Sequence, residues 1–501
     1  MRRSIALGSG SRGGDIRRLT PWFLVALVIG ASSWHWSHGP SLGTDDHGQY
    51  LLHARNLVEG RPYTDIGFIH SAFTGLTGPI AEPPVLPALI AIVFTAAGES
   101  LPWVRVMLIA IFVLFTIAVW VFWHRLEGDT IAFLVTAWCV VAFSRLHVVD
   151  TVLADVPFAA AIWWAFVFAD SPNARRSLGR YGALALAGAL AFGFRMAALP
   201  LLPAIVTYTV VRPAEERGKL ALVGAVWLLS ACGVLFMLPG AAALGGESVR
   251  TLGDAVRDVG INAKTLSDGA RLWVPIALPS RSANIVLHAT LLAIATIGAI
   301  AAFAEHPRRF AYIVAAWYLV MLLALPTRAA RYMWPMYPFI TFALIRGVRW
   351  LAQRMRPALG TRWAPLGSAA VIALLAGGLL QDMMRPPPRT LRDDRETQEI
   401  VEALRAAAQQ GPVRAAFFSP RVLAWETGIT ATAFGRGTPD EILGEVRRSG
   451  LTHIAVGDAG TVAQGNAETV AMVAAHRDAF HPILTNQSFV LYKVRADSTP
   501  R

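Results

Sequence analysis

Long apolar runs separated by short polar breaks fill this chain from about residue 19 to about residue 381, and most of the breaks are basic. The runs lie at approximately 19–36, 102–123, 129–147, 156–170, 181–195, 197–211, 219–241, 284–304, 310–326, 334–350 and 363–381. A membrane-crossing helix needs roughly 20 mostly apolar residues, so the pattern predicts a mainly α, polytopic membrane protein with about eleven transmembrane helices. One further apolar stretch, Pro83–Gly98, is shorter and opens with Pro83, Pro84 and Pro87.

Charge settles how that stretch is read. Basic clusters stand at Arg2 to Arg18, His124-Arg125, Arg175 to Arg180, Arg212 to Lys219, His306 to Arg309 and Arg346 to Arg362. Lys and Arg concentrate in cytoplasmic loops, so an even number of spans must separate each cluster from the next. Counting Pro83–Gly98 as a span would put His124-Arg125 outside. It is therefore expected to be a helix lying in the outer membrane surface. The N-terminus then lies inside, and the loop 37–101, the loop 148–155, the irregular loop 242–283 and the turn Thr327–Trp334 lie outside.

Beyond residue 381 the pattern changes. A linker, Arg385-Pro386-Pro387-Pro388-Arg389, precedes short apolar strands at Val413–Phe418, Thr452–Val456 and Phe489–Val494. Helical stretches at Glu396–Ala408, Asp440–Arg448 and Ala467–Asp478 alternate with them. Strands spaced by helices predict a small α/β domain. The expected organisation is a basic cytoplasmic leader 1–18, a transmembrane catalytic domain 19–381 with its first outer loop at 37–101, and an extracytoplasmic α/β domain 382–501. No internal repeat is visible.

Composition agrees with a membrane protein. Of 501 residues 54% are hydrophobic and 16% charged, with mean hydropathy +0.47, against about 25% charged in soluble proteins. The net charge of +12 is accounted for by cytoplasmic loops. No basic run is interleaved with stacking aromatics, which sets nucleic acid aside as a partner. Cys139 and Cys232 lie in apolar runs without a CxxC spacing and read as structural thiols. The run Pro21–Trp34 ends in Trp34-His35-Trp36 without an A-x-A site, so it reads as an uncleaved anchor.

The candidate chemistry gathers on the outer face. Asp45-Asp46 open a segment with apolar residues at helical spacing, where one acid would suffice for a helix cap. A doubled acid is a candidate base, because like charges this close should raise one pKa. Asp155, before Val156-Pro157, fits either an N-cap or a site acid, and Asp150 is a weaker neighbour. Arg195 interrupts the apolar run Leu184–Val211 and is either snorkelling or binding an anionic headgroup. Arg328 and Arg331 precede Tyr332-Met333-Trp334 and suit a phosphate through bidentate hydrogen bonds. Glu82 shares the first loop with His47, His53 and His70, which leaves a divalent cation open as a cofactor, although no HExxH or other ligand spacing appears. No Walker loop, GxSxG elbow or GxGxxG after a strand is present, so a nucleotide has no visible site.

These pieces, in this order, resemble the polyprenyl-phosphate-dependent GT-C glycosyltransferases, a group that includes protein O-mannosyltransferases and the aminoarabinose transferase of lipid A. Asp45-Asp46 with Tyr50, Ala54 and Arg55-Asn56 is similar to the family's first-loop D-E…Y…A-R-N pattern. Pro83-Pro84-Val85-Leu86-Pro87 is similar to its P-P-L segment. Ser144-Arg145 through Asp155-Val156-Pro157 resembles the second-loop acid motif, and Arg331-Tyr332 through Pro335 and Pro338 the late R-Y…P…P motif. Asp46 replaces the usual Glu, Gly48 an Arg, and Glu82 a Lys of the aminoarabinose-transferase branch, so that branch's substrate is not carried over.

The resemblance implies an inverting transferase in a bacterial inner (plasma) membrane. Its donor is a polyprenyl-phosphate-linked sugar and its acceptor an envelope glycan, lipid or protein. Asp45 is expected to be the general base, with Asp46 and Asp155 orienting hydroxyls. Arg195, Arg328 and Arg331 are expected to neutralise the leaving phosphate, with Tyr50, Arg55, Glu82 and Tyr332 as further substrate-binding residues. Two other classes were weighed. A transporter or lipid flippase would use the same acids as a proton relay, but charges at the midplane and paired broken repeats are lacking. A non-catalytic envelope scaffold is the other.

Overall fold

The computed structural model describes residues 24–26, 45–69, 81–145, 151–170, 177–237, 259–264, 280–324, 330–359, 377, 395–435, 437–457 and 466–495. The basic leader, most of the expected spans 19–36 and 363–381, the Pro-rich linker, His70, Asp150, Arg328 and most of loop 242–283 lie outside these residues. The chain is mainly helical with one small sheet.

Residues 24–26 are helical; the helices with described bounds then run α1 (Asp45–Glu59), α2 (Val85–Ala97), α3 (Leu101–Glu127), α4 (Asp129–Arg145), α5 (Asp155–Ala169) and α6 (Leu178–Phe194). Then come α7 (Leu201–Val211), α8 (Ala214–Met237), α9 (Arg281–Glu305), α10 (Phe310–Ala324) and α11 (Tyr337–Leu359). Among the described residues three helices are long and apolar enough to cross a membrane: Leu101–Glu127, Ala214–Met237 and Ser282–Glu305. Shorter apolar helices accompany them, α2, α4, α5, α6 and α10 included. With 13 residues, α2 rises only about 20 Å, short of the roughly 30 Å hydrocarbon core. Exposed Leu222, Leu229 and Phe236 on α8 and Val286 and Ile300 on α9 give these helices apolar outer faces suited to lipid.

Buried along almost its whole length, α5 is the core helix. Trp163 meets Phe122 edge-on at 5.4 Å and Phe339 at 4.9 Å, while Trp123 stacks on Phe342 at 4.0 Å. Such aromatic pairs add about 0.5–1.5 kcal/mol each beyond the area they bury. The Trp163 indole N–H also donates to the Pro335 carbonyl at 2.9 Å. That carbonyl belongs to a 3-10 turn, Ala330–Met336, which holds Pro335. Proline has no N–H for an α-helical ladder, so α11 begins at Tyr337, later than the span expected from residue 334.

Residues 395–495 carry α12 (Arg395–Gln410), β1 (Arg414–Ala416), α13 (Pro420–Thr427), β2 (Thr430–Thr432), α14 (Pro439–Arg448), β3 (His453–Gly457), α15 (Asn466–Ala475), β4 (Phe480–Thr485) and β5 (Phe489–Val494). The strand order is β2-β1-β3-β5-β4. The first three strands are parallel and β5 runs antiparallel to both β3 and β4. Parallel neighbours require crossovers, and α13 is the crossover from β1 to β2. The sequence analysis overlooked α13, β2 and β4. The strand β2 has three residues, too few for alternation to register.

Two helices cross without intervening side chains. A Cβ added at Gly298 of α9 would lie 1.8 Å from the Ala343 carbonyl oxygen of α11, an approach that only a small residue permits. Gly298→Val is therefore expected to cost at least the roughly 1–3 kcal/mol of core overpacking. Gly233→Val on α8, where nothing lies within 4 Å, is the comparison. Thermal unfolding in detergent should show a marked loss for the first variant and little change for the second; equal behaviour would remove the close crossing.

Candidate active site

At one end of the helical bundle four stretches of chain meet: the first turn of α1, the start of α5, the break after α6 and the 3-10 turn before α11. Each brings charge. Asp45 and Asp46 occupy the first turn of α1, as the apolar spacing predicts. Asp155 is the first residue of α5, with Ala154 in the capping position and making no side-chain cap. The N-cap alternative for Asp155 is thus wrong: its carboxylate accepts from Arg195 Nη1 at 2.6 Å. Arg195 leaves α6 in an extended conformation, φ −155° and ψ 140°, which ends the helix and lets its side chain turn inward. Its guanidinium also lies over the Tyr332 ring at 4.9 Å. It is a buried, paired cation and does not snorkel.

Arg331 donates to Asp46 Oδ2 at 2.6 Å. The turn that carries it is held by the Trp163 bond to Pro335 and by the Tyr318 hydroxyl, which donates to the Tyr332 carbonyl at 2.8 Å. Glu82 closes the cluster from the first loop. Its side chain accepts from Tyr50 Oη at 3.1 Å and its carbonyl from Tyr63 Oη at 2.8 Å. The Glu82 backbone N–H points at His53 Nε2, 3.3 Å away, so the imidazole proton sits on Nδ1 and is donated to the Tyr63 carbonyl at 2.7 Å. Burial, outweighing that bond, brings the His53 pKa down to about 4; the ring is a neutral strut.

Arg421, which no sequence pattern singles out, joins the doublet. From α13 its backbone N–H donates to Asp45 Oδ1 at 2.7 Å, and its Nη1 lies 3.3 Å from Asp45 Oδ2 and 3.9 Å from Asp46 Oδ1. Ser419 Oγ donates to Asp45 Oδ1 at 3.4 Å. The only hint in the sequence is Gly48: a Cβ there would lie 2.4 Å from the Arg421 carbonyl carbon and oxygen. Arg55 stands apart from the cluster. It forms a bidentate pair with Glu99, at 2.5 and 2.7 Å, and covers the Trp425 ring at 3.8 Å. Its guanidinium is occupied in joining α1, Glu99 and α13.

The environments of the two adjacent acids diverge. Burial pushes the Asp45 pKa up to about 6, against the lowering effects of the Arg421 guanidinium and backbone N–H; the Asp46 charge adds a smaller upward push. Burial also opposes the charge of Asp46, yet Arg331, by charge and hydrogen bond, and Arg421 together hold it below the usual carboxylate range. Burial first and the Asp46 charge second raise Glu82. The expected split of the doublet is present, but burial and not like charge is its main cause. Pairs of acids with divergent pKa values are the mark of an acid–base assignment. Asp45 thus holds a proton more readily than a free carboxyl, and Asp46 less readily.

Among the described residues no group of three or more His, Cys, Asp or Glu side chains is placed to hold a metal. The acids face guanidinium groups, which already supply the positive charge a divalent cation would bring, so this donor set does not fit one.

Removing one partner of a buried ion pair leaves the other charge uncompensated, at about 3–5 kcal/mol. Asp155→Ala is expected to lower thermal stability in detergent strongly, and Asp155→Asn with Arg195→Met to recover much of the loss. A double variant no more stable than the single would dissolve the pair as a structural element.

No family model matches the sequence, and no curated protein does. Solved structures do. ArnT from Cupriavidus metallidurans bound to undecaprenyl phosphate is similar at TM-score 0.53 and 12% identity, over 98% of this chain and 100% of that one. The Archaeoglobus fulgidus oligosaccharyltransferase in its apo form is similar at TM-score 0.57 and 12% identity, over 98% of this chain and 76% of that one. The same enzyme tethered to an acceptor peptide gives TM-score 0.54 and 11% identity, over 96% and 75%. With nearly all of this chain covered, the likeness fixes the architecture: the chain shares the fold of ArnT and the oligosaccharyltransferase, and among its described residues three helices are long and apolar enough to cross a membrane.

Proposed function

We propose that the chain is an inverting membrane glycosyltransferase that moves a sugar from a polyprenyl-phosphate donor to an acceptor hydroxyl on an envelope glycan, lipid or protein. The observation that carries this reading is the Asp45–Asp46 doublet, one acid near pKa 6 and the other kept charged, within a ring of paired arginines. The GT-C fold and the undecaprenyl phosphate bound by ArnT support the donor class. The proposed topology has about eleven spans, an inner N-terminus, and the site and the C-terminal unit on the extracytoplasmic side of a bacterial plasma membrane.

The chemistry then needs few parts. Ionised Asp45 takes the proton of the acceptor hydroxyl as that oxygen attacks the anomeric carbon. The bond from the anomeric carbon to the phosphate oxygen breaks on the opposite face, and its electron pair leaves with the polyprenyl phosphate. Asp46 stays charged and orients the acceptor, while Glu82 and Tyr50 line the sugar side. Arg195 and Arg331, fixed beforehand by Asp155 and Asp46, supply positive charge where the phosphate gains negative charge. Preorganised charge of this kind is commonly the largest catalytic contribution.

Purified protein supplied with labelled lipid-linked sugars should transfer label to an extracted envelope acceptor. Asp45→Asn should lose about 10²–10⁴-fold; near-wild-type transfer by that variant would sink the base assignment. A raised carboxyl pKa means protonation, and loss of the base, on acidification through about 6. The acid limb of kcat/KM should therefore fall near that pH and not near 4. Proton-coupled flux in liposomes without any glycosyl transfer would replace the reading with a transporter.

A further inference from the structure

The C-terminal unit touches the rest of the protein at the acid doublet itself. Arg421 is fully buried and grips Asp45 twice, by its backbone N–H on Oδ1 and its guanidinium on Oδ2. Three further contacts surround that grip. The first loop pairs with the sheet edge: Ile69 N–H donates to the Ala431 carbonyl and Ala431 N–H to the Gly67 carbonyl, both at 2.8 Å, and Thr432 Oγ donates to the Ile69 carbonyl at 3.0 Å. Phe68 lies under the Arg421 guanidinium at 4.5 Å. Trp425 is held between Arg55 at 3.8 Å and Phe94 of α2 at 5.8 Å.

A lid that lifts in each cycle needs edges that water can solvate. Here the edge is a backbone ladder, a buried cation and an indole, and Gly48 leaves no room between α1 and α13 for even a methyl group. We infer that the C-terminal unit is a permanent wall of the site, and that Arg421 is a positioning residue that fixes the Asp45 carboxylate. Arg421 N–H and Ser419 Oγ reach Oδ1, Arg421 Nη1 reaches Oδ2, and the Val422 N–H is a further donor to the same carboxylate, so α13 sets its orientation from several sides. The inference rests on Asp45 being the base.

Among the described residues Arg421 of α13 and Asp46 of α1 face Asp45, while Arg331, Arg195 and Glu82 reach the doublet through Asp46. An opposite charge at this range lowers a carboxyl pKa by about 1–3 units. Arg421→Met in the full-length protein should therefore move the acid limb of kcat/KM upward by about one pH unit or more and lower kcat more than it raises KM. Arg421→Lys should restore the limb toward its wild-type position. A lowered rate with an unmoved limb would reduce Arg421 to a merely structural part and overturn the positioning role.

Hydrogen–deuterium exchange reads the wall without any turnover. Gly48→Val should raise exchange together in 45–59 and 420–427, whereas loss of protection in one segment alone, or in neither, would overturn the wall. If the wild-type protein transfers no sugar from any lipid-linked donor, the glycosyltransferase reading and the role of Arg421 in it fall. The exchange result then upholds or overturns the wall by itself.

Discussion

Three acids at one end of this bundle are each matched to an arginine that comes from somewhere else in the chain, while Glu82 is held by the Tyr50 hydroxyl. Asp46 takes Arg331, Asp155 takes Arg195 and Asp45 takes Arg421. A lone ion withdrawn from water costs several kcal/mol even after relaxation, so none of these groups could sit where it does without its partner. The pairs cross between α1, α5, the end of α6, the 3-10 turn and α13, and they act as the fastening that brings five distant pieces of chain to one place.

Fastening by charge would leave the groups free to rock, and the apolar core removes that freedom. Trp163 is clasped by Phe122, Phe166 and Phe339 and reaches Pro335 with its indole N–H. That bond sets the turn from which Arg331 and Tyr332 project. The same logic holds on the loop side, where neutral His53 bridges Tyr63 and Glu82 and keeps the Glu82 side chain within reach of Tyr50. Aromatic packing in the membrane part thus determines the geometry of polar groups outside it. A site built this way comes preorganised, its charges held before a substrate arrives.

Much of this could be read from the residues alone. Hydrophobic runs place helices because backbone groups in lipid must bond within their own segment, and the alternation of apolar and basic stretches survives without any tertiary information. Asp45, Asp46, Asp155, Arg195 and Arg331 stood out because charge is rare in such a sequence. What stayed hidden was partnership. Arg421 looks ordinary in a charged, water-soluble stretch, and it lies 376 positions from Asp45; no periodicity reports a contact at that range. Arg55 shows the same gap from the other side. It matched a motif, yet Glu99 and Trp425 take up its guanidinium. The strands β2 and β4 were lost because short or half-exposed strands carry little pattern.

The long separation between Asp45 and Arg421 also sets a timetable. A ribosome delivers Asp45 early and Arg421 only after the helices of the bundle have been made. Until then the carboxylate has neither of its Arg421 donors and α1 lacks the backbone that Gly48 admits. The entropy of closing so long a loop is met in a single late docking event, one that joins backbone to backbone and cation to anion together. Asp46 and Asp155 by then already have Arg331 and Arg195, so Asp45 alone waits for its partner. The doublet is therefore complete only once the last unit has docked, and its two acids acquire their partners at different times.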